Sequence, residues 1–136
     1  MTVTKSKRKE SNVQFLQTTL ELVLFTIQTC RKFPKGLTFY VSQPTVQAAK
    51  QVYANLKRGN SIFPKTQAEL DRRIAYMQRA RLDLYVLATE IDIAYELQKE
   101  NLKETAIVNW YKLLNESYKL ITAQIKSDKG RFQNLP

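Results

Sequence analysis

The chain contains no histidine. That one absence removes imidazole acid-base catalysis, the usual base partner of a Ser or Cys nucleophile, and most zinc sites. Cysteine occurs once, at Cys30, so no internal disulfide can form; this fits a reducing compartment, and a cytoplasmic location is expected. Cys30 falls on an apolar helical stripe and reads as a small buried residue rather than a reactive thiol. Only three glycines are present, Gly36, Gly59 and Gly130, too scattered for a phosphate-cradling loop. No segment approaches the roughly 20 apolar residues of a membrane span. Gln17, Thr18, Thr19 and Glu21 interrupt the apolar stretch Phe15 to Ile27, so it lacks signal-peptide character. Asp92, Glu96 and Glu100 stand four apart on a helical face, but Lys99 and Lys103 interleave with them, which is the pattern of a solvated surface. No enzyme activity, cofactor, metal, small-molecule substrate or membrane is expected.

What the chain has in excess is positive charge. It carries 22 Lys and Arg against 12 Asp and Glu, a net charge of +10 over 136 residues, which implies attraction to polyanions. The excess is not spread evenly. Residues 31–81 hold eleven basic residues and two acidic ones, whereas residues 82–136 hold seven and eight. The basic set is Arg31, Lys32 and Lys35 in one group, Lys57, Arg58, Lys65, Arg72 and Arg73 in another, then Arg79 and Arg81, with Lys50 apart. Clusters of this kind suit the phosphate backbone of a nucleic acid and need no base-reading element. The alternative is that they only keep the protein soluble.

Periodicity organises the chain around the segment 66–98, where Leu70, Ile74, Met77, Ala80, Leu84, Leu87, Ile91 and either Ala94 or Tyr95 recur in steps of three and four. Thr66 with Glu69 has the spacing of a capping box and marks the start of that helix. A first helix is expected over 11–32 on the stripe Leu16, Leu20, Val23, Ile27 and Cys30. A second is expected over 37–58, either bent near Tyr40 by Pro44, which the spacing favours, or beginning at Ser42 as its cap. Gly59 and Asn60 suit a left-handed residue that ends it. A last helix is expected over 102–126, capped by Asn101 with Glu104, with Ala106, Trp110, Leu113, Leu114, Ser117, Leu120 and Ile121 facing in. Residues 1–10 read as a flexible basic arm and 128–136 as a frayed tail. Amphipathic helices with short connections predict an all-α, antiparallel up-down-up-down four-helix bundle over 11–127.

Two motifs carry a resemblance. The first helix ends in Arg31, Lys32, Phe33, Pro34, Lys35, and the third has the form RRxxYxxRARxDLxxLxxEIxIAYEL from Arg72 to Leu97. Over roughly residues 13–125 the chain resembles the four-helix-bundle superfamily that joins proteins encoded in 23S ribosomal RNA intervening sequences to the accessory variability determinant (Avd) proteins of diversity-generating retroelements, and is most like the latter. The resemblance implies a homo-oligomer, a pentameric ring with a basic surface. It implies a reverse transcriptase partner and binding of template RNA or an RNA/DNA hybrid, in support of mutagenic cDNA synthesis. It maps Arg72, Arg73, Arg79 and Arg81 onto the Arg-rich third helix and Arg31, Lys32 and Lys35 onto the matching loop. The alternatives are the ribosomal branch of the same superfamily, or a structural interaction bundle with no polymerase partner.

Overall fold

The computed structural model describes residues 2–136, with side chains from Gln14 onward. The basic arm expected over residues 1–10 lies outside the fully described residues. Among the described residues the chain is all-helical, with four α-helices and no strand: α1 (Thr2–Cys30), α2 (Gln43–Asn60), α3 (Gln67–Leu97) and α4 (Glu104–Arg131). Each packs on its neighbour in sequence and α1 closes against α4, which makes an up-down-up-down bundle.

The third helix follows its sequence pattern most closely. Every residue of the stripe from Leu70 to Ala94 is buried, and each large one stabilises the fold by roughly 1.5–3 kcal/mol. The Glu69 amide donates to Thr66 Oγ1 at 3.2 Å, as a capping box requires. The Glu69 carboxylate reaches one residue further back than expected and accepts from the Lys65 amide.

The first helix keeps Val23 and Cys30 of its expected stripe buried and Leu16 and Ile27 half-buried against the core, but its inward face is rotated away from Leu20. Leu20 and Leu24 are exposed, while Phe15, Thr19, Leu22, Thr26 and Thr29 are buried. Threonine is acceptable there because its hydroxyl bonds within its own helix: Thr19 to the Phe15 carbonyl at 2.7 Å, Thr26 to Leu22 at 2.7 Å and Thr29 to Phe25 at 2.8 Å. Thr26 Oγ1 also accepts from Trp110 Nε1 at 2.9 Å. The indole is fully buried at the α1–α4 contact, so its N–H needs that partner.

Between α1 and α2 lie a 3-10 turn, Lys35–Leu37, and a π-helical turn, Thr38–Ser42, that runs straight into α2. Pro44 has no amide hydrogen, and its ring would collide with the Tyr40 carbonyl in a regular helix. The wider turn relieves this: Gln43 N–H bonds back to the Thr38 carbonyl. The element is continuous and locally widened. Ser42 makes no cap; its hydroxyl donates to the Cys30 carbonyl at 3.5 Å.

Three expectations for the helix ends are corrected. Gly59 is not left-handed, since no glycine has positive φ and α2 runs through it to Asn60. Its role is close approach: a Cβ there would lie 3.1 Å from the Arg73 carbonyl oxygen and 3.3 Å from Tyr76 Cβ. Asn101 does not cap α4; its Nδ2 donates to Gln98 Oε1, and the N-cap position falls on Lys103 without a side-chain bond. The tail is not frayed. The fourth helix extends to Arg131, Asp128 is fully buried, Phe132 packs edge-on against Phe63, and the Pro136 carbonyl accepts from the Gln67 amide at 2.9 Å. Within α4, Ala106, Leu113 and Leu120 are only half-buried, and the inward face continues instead through Gln124 and Ile125.

Candidate nucleic-acid interface

The antiparallel arrangement gathers the end of α2, the start of α3 and the end of α4 at one end of the bundle. Lys57 and Arg58 occupy the last turns of α2, Lys65 precedes the α3 cap, and Arg72 lies in the second turn of α3; all four side chains are exposed. Cations near the last turn of a helix are favoured by its negative end. The structure brings these four together, and adds three that the sequence reading missed. Lys126, Lys129 and Arg131 on the last turns of α4 are exposed at the same end. Counting charge by segments hid them, because the C-terminal segment sums to near neutrality.

Arg73 does not belong to this surface and is corrected from binding to structural. It is only 7% exposed. One residue after Arg72 is a rotation of about 100° around the helix, which carries Arg73 toward Leu70, Ile74 and Met77. Its Nε donates to Asp128 Oδ2 at 2.8 Å and its Nη2 to Oδ1 at 3.3 Å, while Nη1 donates to the carbonyls of Ile62 and Gly59. Gln124 Nε2 donates to the same carboxylate at 2.9 Å. Every polar atom of this buried group is thereby satisfied, the condition for enclosing an ion pair.

Arg79 stands two turns beyond Arg72 on the same side of α3, exposed, with its guanidinium 5.4 Å from the Tyr76 ring centre. Arg81 is half-buried. Its stem lies toward α4, its Nη1 donates to Thr122 Oγ1 at 3.3 Å and its guanidinium sits 5.9 Å from the Tyr118 ring centre. Among the described residues no carboxylate pairs with it. Arg31, Lys32 and Lys35 are exposed at the opposite end, in the α1–α2 connection. The 18 residues of α2 separate the two clusters by about 27 Å at 1.5 Å per residue.

Nearby acids are occupied elsewhere. Asp128 is held by Arg73, Glu69 caps α3, and Asp71 accepts from Gln67 Nε2 at 2.9 Å. Asp83 accepts from Asn55 Nδ2 at 2.6 Å, and Asn55 Oδ1 in turn accepts from Arg58 Nη1 at 3.1 Å. Among the described residues only Arg73–Asp128 and Lys99–Glu96 form ion pairs within 4 Å. Nine of the ten candidate cations therefore carry charge uncompensated by a neighbouring carboxylate. A surface of that kind can neutralise phosphates without first breaking internal pairs.

Among the described residues no helix is long and apolar enough to cross a membrane. A scan against protein-family models matches none, and a search of curated proteins finds no match.

Proposed function

We propose that this protein is a non-catalytic accessory subunit of a diversity-generating retroelement, a cytoplasmic RNA-binding bundle that partners a reverse transcriptase and holds template RNA or an RNA/DNA hybrid during mutagenic cDNA synthesis. The observation that carries the RNA-binding part is the set of nine exposed or half-exposed cations that, among the described residues, have no carboxylate within ion-pair distance. The polymerase partner rests on the resemblance of the Arg72 to Leu97 segment to Avd proteins.

Assembly into a homo-oligomer, a pentameric ring in this reading, is supported by the outer face of α3. Leu82, Tyr85, Val86, Ile93 and Leu97 are all at least 43% exposed and recur at helical spacing, an apolar strip that a second copy would cover. Repetition of the basic end around a ring multiplies weak phosphate contacts into avidity.

The test is RNA affinity measured by anisotropy across salt concentrations, with mass measurement of the complex co-purified with the product of any adjacent reverse transcriptase gene. Neutralising Lys57, Arg58, Lys65 and Arg72 to Gln removes four phosphate contacts, so the slope of log K against log salt should flatten by about 3 on single strands. RNA affinity indifferent to salt, or no binding at low salt, overturns the reading in favour of a structural bundle. RNA binding without polymerase capture moves it to the ribosomal branch of the superfamily.

A further inference from the structure

The turn that Pro44 widens has a second effect. Val41 is 1% exposed and pins the turn to the core. With Val41 inward, the two preceding residues face out: Phe39 is 77% and Tyr40 81% exposed, the two most exposed large apolar side chains among the described residues. Adjacent, outward aromatic rings on a rigid helical turn leave apolar area in water with no gain to the monomer's own core. π-helical turns of this kind are frequent at functional sites.

The surroundings define what the rings would meet. Arg31, Lys32 and Lys35 flank the turn, all exposed and, among the described residues, none within 4 Å of a carboxylate. The sequence has no Asp or Glu from Leu22 through Ala68, so both arms of this connection are free of negative charge. Beside the rings is a shallow hollow of about 500 Å³, with Ile27, Phe33, Phe39 and Val46 among its walls and Arg31 and Lys35 at its rim. That is within the range of small-ligand pockets, with an apolar floor and cationic edges.

We propose that this end of the bundle binds single-stranded nucleic acid: unpaired bases stack on Phe39 and Tyr40, one of them entering the hollow, while Arg31, Lys32 and Lys35 hold the flanking phosphates. Aromatic platforms set among cations are the recurring solution for single strands, because every base has a π face and only unpaired bases can present it. A duplex keeps its bases stacked inside and can use only the cations. A lipid surface fits less well, because insertion uses a continuous apolar helix face, and here two rings protrude alone. The proposal rests on the RNA-binding reading above and narrows it to the unpaired form of the ligand.

Anisotropy with a short unstructured RNA and with a duplex of equal length tests it, using the full chain and checking helicity by circular dichroism. The double variant Phe39→Ala/Tyr40→Ala should bind single strands roughly tenfold or more weakly, keep its salt slope, and bind the duplex unchanged. Phe39→Leu/Tyr40→Leu retains apolar area without the π face and should fail as the Ala pair does. Arg31→Gln/Lys32→Gln/Lys35→Gln should flatten the single-strand salt slope by about 2. Unchanged single-strand affinity in the Ala pair, equal losses on both ligands, or rescue by Leu overturns this proposal and leaves RNA binding standing. Ring-dependent binding to vesicles of anionic phospholipid in preference to RNA overturns it too, and absence of any RNA binding by the unaltered protein overturns both readings.

Discussion

Arg73 Nε lies 2.8 Å from Asp128 Oδ2, a contact spanning 55 residues of sequence that locks the start of α3 to the end of α4. The carboxylate is fully buried and also accepts from Gln124, while the guanidinium reaches back to the α2 end through the carbonyls of Gly59 and Ile62. One ion pair thus ties three helices at the end where the exposed cations gather.

Breaking that pair should cost far more than any surface charge. Asp128→Ala leaves a buried guanidinium uncompensated, and unfolding in urea should show a loss of about 3–5 kcal/mol. The double change Arg73→Met/Asp128→Leu should recover much of it, since an apolar pair can replace a buried ion pair. Retention of full stability by Asp128→Ala would show that the end of α4 is not held as described.

Glycine substitutions should separate position from type. Gly59→Ala places a methyl 3.1 Å from backbone at Arg73, and overpacking there should cost about 1–3 kcal/mol. Gly130, inside α4 with open space around it, should accept Ala with a gain of up to about 1 kcal/mol from helix propensity. Equal denaturation midpoints for the two variants would contradict the close α2–α3 approach.

The single tryptophan reports on the core. Trp110 is fully enclosed and bonded to Thr26, so its emission should be blue-shifted and shielded from iodide until unfolding. Thr26→Val orphans the indole N–H and should destabilise the fold by about 1–3 kcal/mol in thermal or urea unfolding.

Burial pushes the Cys30 thiol from its ordinary value of 9.0 up to about 12. The native thiol should therefore resist alkylation at pH 8 to 9 and react rapidly in denaturant. The sign for stability follows: above pH 9 the unfolded chain loses this proton while the folded one keeps it, so this group's contribution to stability falls as pH rises toward 12. Native-state alkylation at the denatured rate would mean that Cys30 is not enclosed.

The C-terminal cations supply a last test. Lys126→Gln/Lys129→Gln/Arg131→Gln should weaken RNA binding and flatten its salt slope by about 2, comparably to three contacts on the α2–α3 side. An unchanged slope would exclude the end of α4 from the interface.

Periodicity, caps and charge counts were enough to read four helices, their order, the buried stripe of α3 and the Thr66 cap, because these depend on neighbours three and four residues apart. They gave only part of the inward face of α1, Val23 and Cys30 but not Thr19, Leu22 and Thr26, because apolar residues occur on two sides and threonines satisfy themselves through their own carbonyls. Nor could they tell Arg72 from Arg73. Adjacent arginines are alike in sequence, and only the arrival of Asp128 from α4 makes one a buried anchor and leaves the other on the surface. The basic excess was written in the composition, but which cations remain uncompensated was decided by the tertiary fold, since pairing depends on the few ångströms between side chains that the chain brings together from far apart.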